Sequence, residues 1–242
     1  MTSLANAKGI GIAGRLSPTD LTFKPGQMVA VIGPNGGGKT SLLRAIARTE
    51  DAEGAVSVEG HALDAAGEAE RRRLVAFMPA SREAPWPVRV TDFIELGLGV
   101  PDAARVDELI FLLELELLVN RPVDRLSTGE RARVMLARAL AGKARLLLLD
   151  EPLSNLDPYW VLRTIELLRG EIAGNLSSAL VSVHDLTLIE RFDRVLLVNG
   201  GVVVGDGTPT EVLASEAFGA AFRIEPEGAG WAIRPADPRS LR

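Results

Sequence analysis

The chain has 242 residues, no cysteine and a formal net charge of −5. The missing cysteine excludes disulfides and thiolate metal sites, and the negative balance argues against a surface built to wrap nucleic acid. With 47% apolar and 24% charged residues the composition is that of a globular protein with a sizeable core.

Met1 to Lys8 lacks the charged start and apolar stretch of an export signal, so none is expected. Gly9 to Ala13 reads as a first strand. Met28 to Ile32 is an apolar run between Pro25-Gly26 and Gly33-Pro34, which reads as a buried strand. Leu42, Leu43, Ile46 and Ala47 have helical spacing and predict a helix over 40–48. Ala55 to Glu59 alternates and stops at Gly60, as an edge strand of a hairpin does. Leu74 to Met78 is a further strand, ended by Pro79. Residues 80–145 lack clear strands, and amphipathic helices are predicted over 104–118 and 131–141. The run from Leu109 to Val119 is interrupted by Glu114 and Glu116. No apolar run reaches the roughly 18 residues needed to span a bilayer, so any work at a membrane would be that of a peripheral subunit. Strands return at 146–149, 179–183 and 195–198, with a helix over 158–172 and a short last strand at 202–204. Short apolar strands alternating with helices imply a mostly parallel sheet covered on both faces. The Gly- and Pro-rich tail from Glu225 is expected to pack loosely.

Gly33-Pro34-Asn35-Gly36-Gly37-Gly38-Lys39-Thr40 has the pattern of a phosphate-binding loop, with a strand before it and a helix after. Glycines let backbone N–H groups turn inward towards a β-phosphate, and the helix start adds a positive dipole end. Lys39 is suited to the β- and γ-phosphates, and the Thr40 hydroxyl to a magnesium ion. The strand Leu146 to Leu149 ends in Asp150-Glu151, a poor place for two unpaired charges. Asp150 suits magnesium through water, and Glu151 suits a general base for the attacking water. Ser127 and Glu130 have the spacing of a capping box, and Gly129 would let a phosphate approach that helix start.

Gly33–Thr40, Leu126–Glu130, Leu146–Glu151, Ser154-Asn155-Leu156-Asp157 and His184 occur together in the order seen in ATP-binding-cassette ATPases, a family the chain resembles over about residues 1–225. Ser127 lies 88 residues beyond Lys39 and 23 before Asp150, and His184 lies 34 beyond Asp150. These intervals suit the family, the first being somewhat short. The resemblance implies an α/β P-loop NTPase core with a mostly parallel sheet, an N-terminal antiparallel β subdomain and an inserted α-helical subdomain. It divides the chain into a core (1–79 and 146–225), an insert (80–145) and a tail (226–242). It implies ATP and Mg2+ as ligands, Glu151 and His184 as catalytic groups, and Thr40 and Asp150 at the metal. A second copy would complete the site: Ser127 and Gly129 would meet the γ-phosphate held by Lys39 of the other copy. Ser154 to Asp157 would couple the two sites, with Asp157 also capping a helix that starts at Pro158. Transmembrane permease subunits and, through them, a periplasmic binding protein are the implied partners, at the cytoplasmic face of the membrane. The stretch from Ala84 to Phe93, with Leu96-Gly97, resembles ATPases of iron–siderophore, haem and cobalamin importers.

Three departures stand out. Ala80 occupies the place of the family's Gln, for which Ser81 or Glu83 are substitutes. Thr128 replaces a signature glycine, tolerable if it has helical torsions. The first strand lacks the aromatic that stacks on adenine, leaving Ile10 and Ile12 as the apolar candidates. An ATP-gated dimerising module with little hydrolysis, and a non-transport cassette protein, are the rival readings.

Overall fold

The computed structural model describes residues 3–81, 87–227 and 230–233. The chain opens with β1 (Ala5–Ile12), β2 (Leu16–Phe23) and β3 (Met28–Ile32), then turns through the glycine loop into α1 (Lys39–Ala47). Next come β4 (Glu53–Val58), β5 (His61–Ala62), α2 (Glu68–Leu74) and β6 (Val75–Met78). Helices α3 (Val90–Glu95), α4 (Ala103–Leu112) and α5 (Thr128–Ala141) lead back to β7 (Leu146–Leu149). Then follow α6 (Pro158–Asn175), β8 (Ser178–Ser182), β9 (Arg194–Asn199) and β10 (Val202–Gly207). The chain ends in α7 (Pro209–Leu213), α8 (Glu216–Phe222) and a hairpin of β11 (Ile224–Glu227) with β12 (Gly230–Ile233).

Six strands form one sheet in the order β10-β9-β3-β8-β7-β6. All neighbours are parallel except the β9–β10 pair. Strands β3 and β7 are apolar at every position because both faces are covered. In β3, Met28, Ala30 and Ile32 join the core shared with the insert, whereas Val29 and Val31 join the core under α1. In β7, Leu147 and Leu149 face the first core and Leu146 and Leu148 the second. One two-residue period thus feeds two hydrophobic cores from one sheet. The cover beyond α1 is the antiparallel sheet β2-β1-β4-β5.

Three expectations change. Strand β4 lies inside its sheet, between β1 and β5, so it is not an edge. The helix predicted over 104–118 stops at Leu112, and Glu116–Leu118 forms a separate 3-10 turn after Glu114, whose φ is +50°. The tail does not simply trail away: Trp231 of β12 packs on Phe218 of α8 with ring centroids 4.9 Å apart.

Helix α6 is fastened to the insert at both ends. The Arg133 guanidinium of α5 stacks on Trp160 at 4.2 Å, and the buried Arg105 of α4 pairs with Glu171 at 2.7 Å. Arg105 also donates from Nη2 to the Leu140 carbonyl at 3.0 Å, while its buried Nε has no partner among the described residues.

Candidate functional site

Strands β3, β8 and β7 are adjacent and parallel, so their carboxyl ends lie side by side, the usual position of a ligand site in such sheets. The glycine loop leaves β3, Asp150-Glu151 leaves β7, and Ser182 to His184 leaves β8. Gly33 has φ +149°, and a Cβ there would sit 1.9 Å from the Val198 carbonyl oxygen, so no other residue fits. Gly38, at φ +108°, caps α1 without any side-chain hydrogen bond to the first turn. The opening N–H groups of α1 therefore have no side-chain cap, as an anion site requires.

Lys39 is buried, and its Nζ donates to the carbonyls of Gly33 at 2.9 Å and Pro34 at 3.0 Å. Burial pushes its ammonium below the ordinary lysine range, against the pull of Glu151 and Asp150. The side chain is thus folded along the loop, held only by neutral carbonyls that a phosphate can displace.

Asp150 is 1% exposed. Its Oδ1 accepts from the Ser182 hydroxyl at 2.7 Å, while Oδ2 is buried with no hydrogen-bond partner. The same Ser182 oxygen accepts from the Glu151 N–H at 2.6 Å. Glu151 itself sits at φ +53°, an αL backbone that turns its carboxylate out of line with the strand. Glu151 Oε1 meets His184 Nε2 at 2.6 Å, and Oε2 accepts from Ser154 at 3.3 Å. Burial raises the Glu151 pKa, but the hydrogen bonds of His184 and Ser154 and the charges of His184 and Lys39 outweigh it, holding the carboxyl below its usual range.

A cleft of ≈ 380 Å³ joins the glycine loop to Glu151 and His184, lined among others by Gly36, Gly38, Lys39 and Thr40, with the buried Asp150 behind Glu151 and outside the lining. Its residues fit a magnesium–nucleotide complex. An orphaned buried carboxylate oxygen on Asp150 calls for a cation or water. Among the described residues no three His, Cys, Asp or Glu side chains converge on a metal.

Ser127, Gly129 and Asp157 do not line this cleft. Ser127 caps α5 in a complete capping box, its hydroxyl accepting from Glu130 N at 3.3 Å and its N–H donating to Glu130 Oε2 at 2.8 Å. Thr128 begins the helix, so its β-branch meets the helical torsions its tolerance required. A Cβ at Gly129 would meet only the Asn155 carbonyl at an ordinary 3.5 Å, so nothing within the chain demands glycine there. Asp157 caps α6 by accepting from Trp160 N at 3.0 Å. Glu83, offered as a substitute for the glutamine, lies outside the described residues.

Ile10 is fully buried in the core under the antiparallel sheet and cannot reach a ligand, whereas Ile12 borders a neighbouring cleft. Sequence reading also missed Ser182. Its only signal is a serine closing a strand whose middle, Ala179 to Val181, is apolar, two positions before His184. Ser182→Ala removes the bridge between Asp150 and the Glu151 backbone and leaves a second Asp150 oxygen unpaired. The expected cost is about 1–3 kcal/mol, read as a lower urea midpoint at unchanged slope.

The family model described as ABC transporter matches residues 16–154. The chain is 38% identical over 223 residues to the hemin import ATP-binding protein HmuV of Pseudomonas fluorescens, covering 87% of each. It is 35% identical to the cobalamin import ATP-binding protein BtuD of Halobacterium salinarum, covering 86% of this chain and 54% of that protein. A solved ATP-binding subunit of an ABC transporter superposes with a TM-score of 0.78 at 25% identity, over 87% of this chain and 92% of that one. Loop, acidic strand end and sheet order agree with these matches: the chain belongs to the ABC transporter family, as one of its ATP-binding ATPase subunits.

Proposed function

We propose that this chain powers import of an iron complex, such as haem or a siderophore, or of cobalamin, by hydrolysing ATP in a dimer docked on membrane permease subunits. The observation that carries the hydrolytic part is the Glu151–His184 pair at 2.6 Å, in the same cleft as Lys39 and the glycine loop. Lys39 and the α1 N-terminus hold the phosphates. Glu151, ionised and oriented by His184 and Ser154, accepts a proton from the attacking water. Thr40 and Asp150 would hold a magnesium ion, which would neutralise phosphate charge.

The dimer is supported by Ser127 and Gly129. Both stand outside the cleft of their own chain, and the glycine has no steric reason within it. A second copy placing this helix start over the γ-phosphate supplies the reason. The solute class is supported by the relatives named for hemin and cobalamin import. Among the described residues no helix is long and apolar enough to cross a membrane, so the channel would belong to other polypeptides.

The test is steady-state phosphate release by the purified chain, alone and reconstituted with its permease subunits. ATP-dependent release that rises with the permease supports coupled transport. Tight ATP binding with no release in either state, the outcome Ala80 would favour, turns the reading to a binding module.

A further inference from the structure

A second cleft, of ≈ 400 Å³, continues from the phosphate cleft across shared walls at Gly14, Arg15, Gly200 and Gly201. Its remaining lining is Ile12, Ala13, Leu16, Ser17, Pro18 and Glu53, so an apolar edge lies beside a carboxylate and a hydroxyl. Among the described residues no aromatic side chain lines either cleft. Arg15 is the cation at their junction.

Two features fix Arg15 there. Its Nη2 pairs with Glu50, whose other oxygen binds Arg44 at 2.6 Å. This anchors the guanidinium by its edge, and the side chain remains 53% exposed, with no ring stacked on it among the described residues. The backbone is tied to the phosphate loop through a single residue: Gly201 N donates to the Gly37 carbonyl at 2.9 Å, and the Gly201 carbonyl accepts from Ser17 N at 2.8 Å. A Cβ on Gly201 would lie 2.5 Å from the Arg15 carbonyl oxygen, so the turn carrying Arg15 is packed as closely as glycine permits. The placement of Arg15 relative to the phosphate loop is therefore set by Gly201 and Gly37.

We infer that Arg15 is the base-recognition residue of this chain, its guanidinium face stacking on the purine of the bound nucleotide. This rests on the triphosphate site proposed above. A guanidinium stacks on aromatic rings by cation–π and planar contact, and weak hydration lets it do so in water. Stacking reads a π-face and not base edges, so ATP and GTP should bind alike.

The test compares binding of ATP and of inorganic tripolyphosphate to the full chain by calorimetry. Arg15→Ala should weaken ATP by about tenfold, the scale of one such contact, and leave tripolyphosphate unchanged. Unchanged tripolyphosphate binding also certifies the fold, and Glu50 keeps Arg44 as a partner. Arg15→Tyr, which restores a flat face without charge, should recover ATP binding. Unchanged ATP affinity in Arg15→Ala overturns the inference. So does equal loss of both ligands, which would make Arg15 a phosphate contact. Failure of the underlying site looks different: Lys39→Ala would then retain tripolyphosphate.

Discussion

Glu151→Gln is expected to cut ATP turnover by about 10²–10⁴-fold, the range general-base catalysis supplies, while ATP remains bound and the chain is captured as a dimer. The amide keeps the size of the carboxylate and can still meet His184 and Ser154, so the cleft survives. What it cannot do is take a proton from water. Phosphate release and size-exclusion chromatography with ATP check both halves, and wild-type turnover would remove Glu151 from its role. The same residue sets a pH expectation. Its carboxyl is held below the ordinary value of 4.5, so the base stays ionised above that pH. The part of activity that depends on it falls only as pH drops through that lowered value.

The second large effect is on binding. Lys39→Ala should weaken ATP by about 100-fold, as expected for losing charge-assisted hydrogen bonds to phosphate. In the free protein Lys39 pairs only with the carbonyls of Gly33 and Pro34, and its charge is disfavoured by burial. The nucleotide-free variant should therefore unfold at about the wild-type denaturant midpoint. Titration with a fluorescent ATP analogue measures the affinity. Undiminished binding would sink the assignment of the loop.

The phosphate loop was legible because its neighbours punctuate it: Pro25-Gly26 and Gly33-Pro34 bound β3 at the residues the structure shows. Strand β7 was equally plain, four leucines ended by two acids. Strand β2 was not, since Ser17, Pro18 and Asp20 break its pattern. Proline is tolerated there because β2 is the edge of its sheet, a fact only the pairing reveals. Helix α2 is a charged run with Leu74 as its one buried residue, too weak a periodicity to read. In the site, residue types named Lys39, Asp150 and Glu151 and the family resemblance named His184, but Ser182 and Arg15 enter by position alone. Ile10 was misjudged because alternation tells which residues share a face of a strand and not which face meets solvent.

The left-handed backbone of Glu151 has a further consequence. A non-glycine residue in that conformation costs about 1 kcal/mol or more, and here the Ser182 hydroxyl on its N–H helps to maintain it. Folding alone would favour glycine or asparagine at position 151. The residue with the most chemistry is thus one the backbone tolerates least, so selection for thermostability and selection for turnover pull this position in opposite directions.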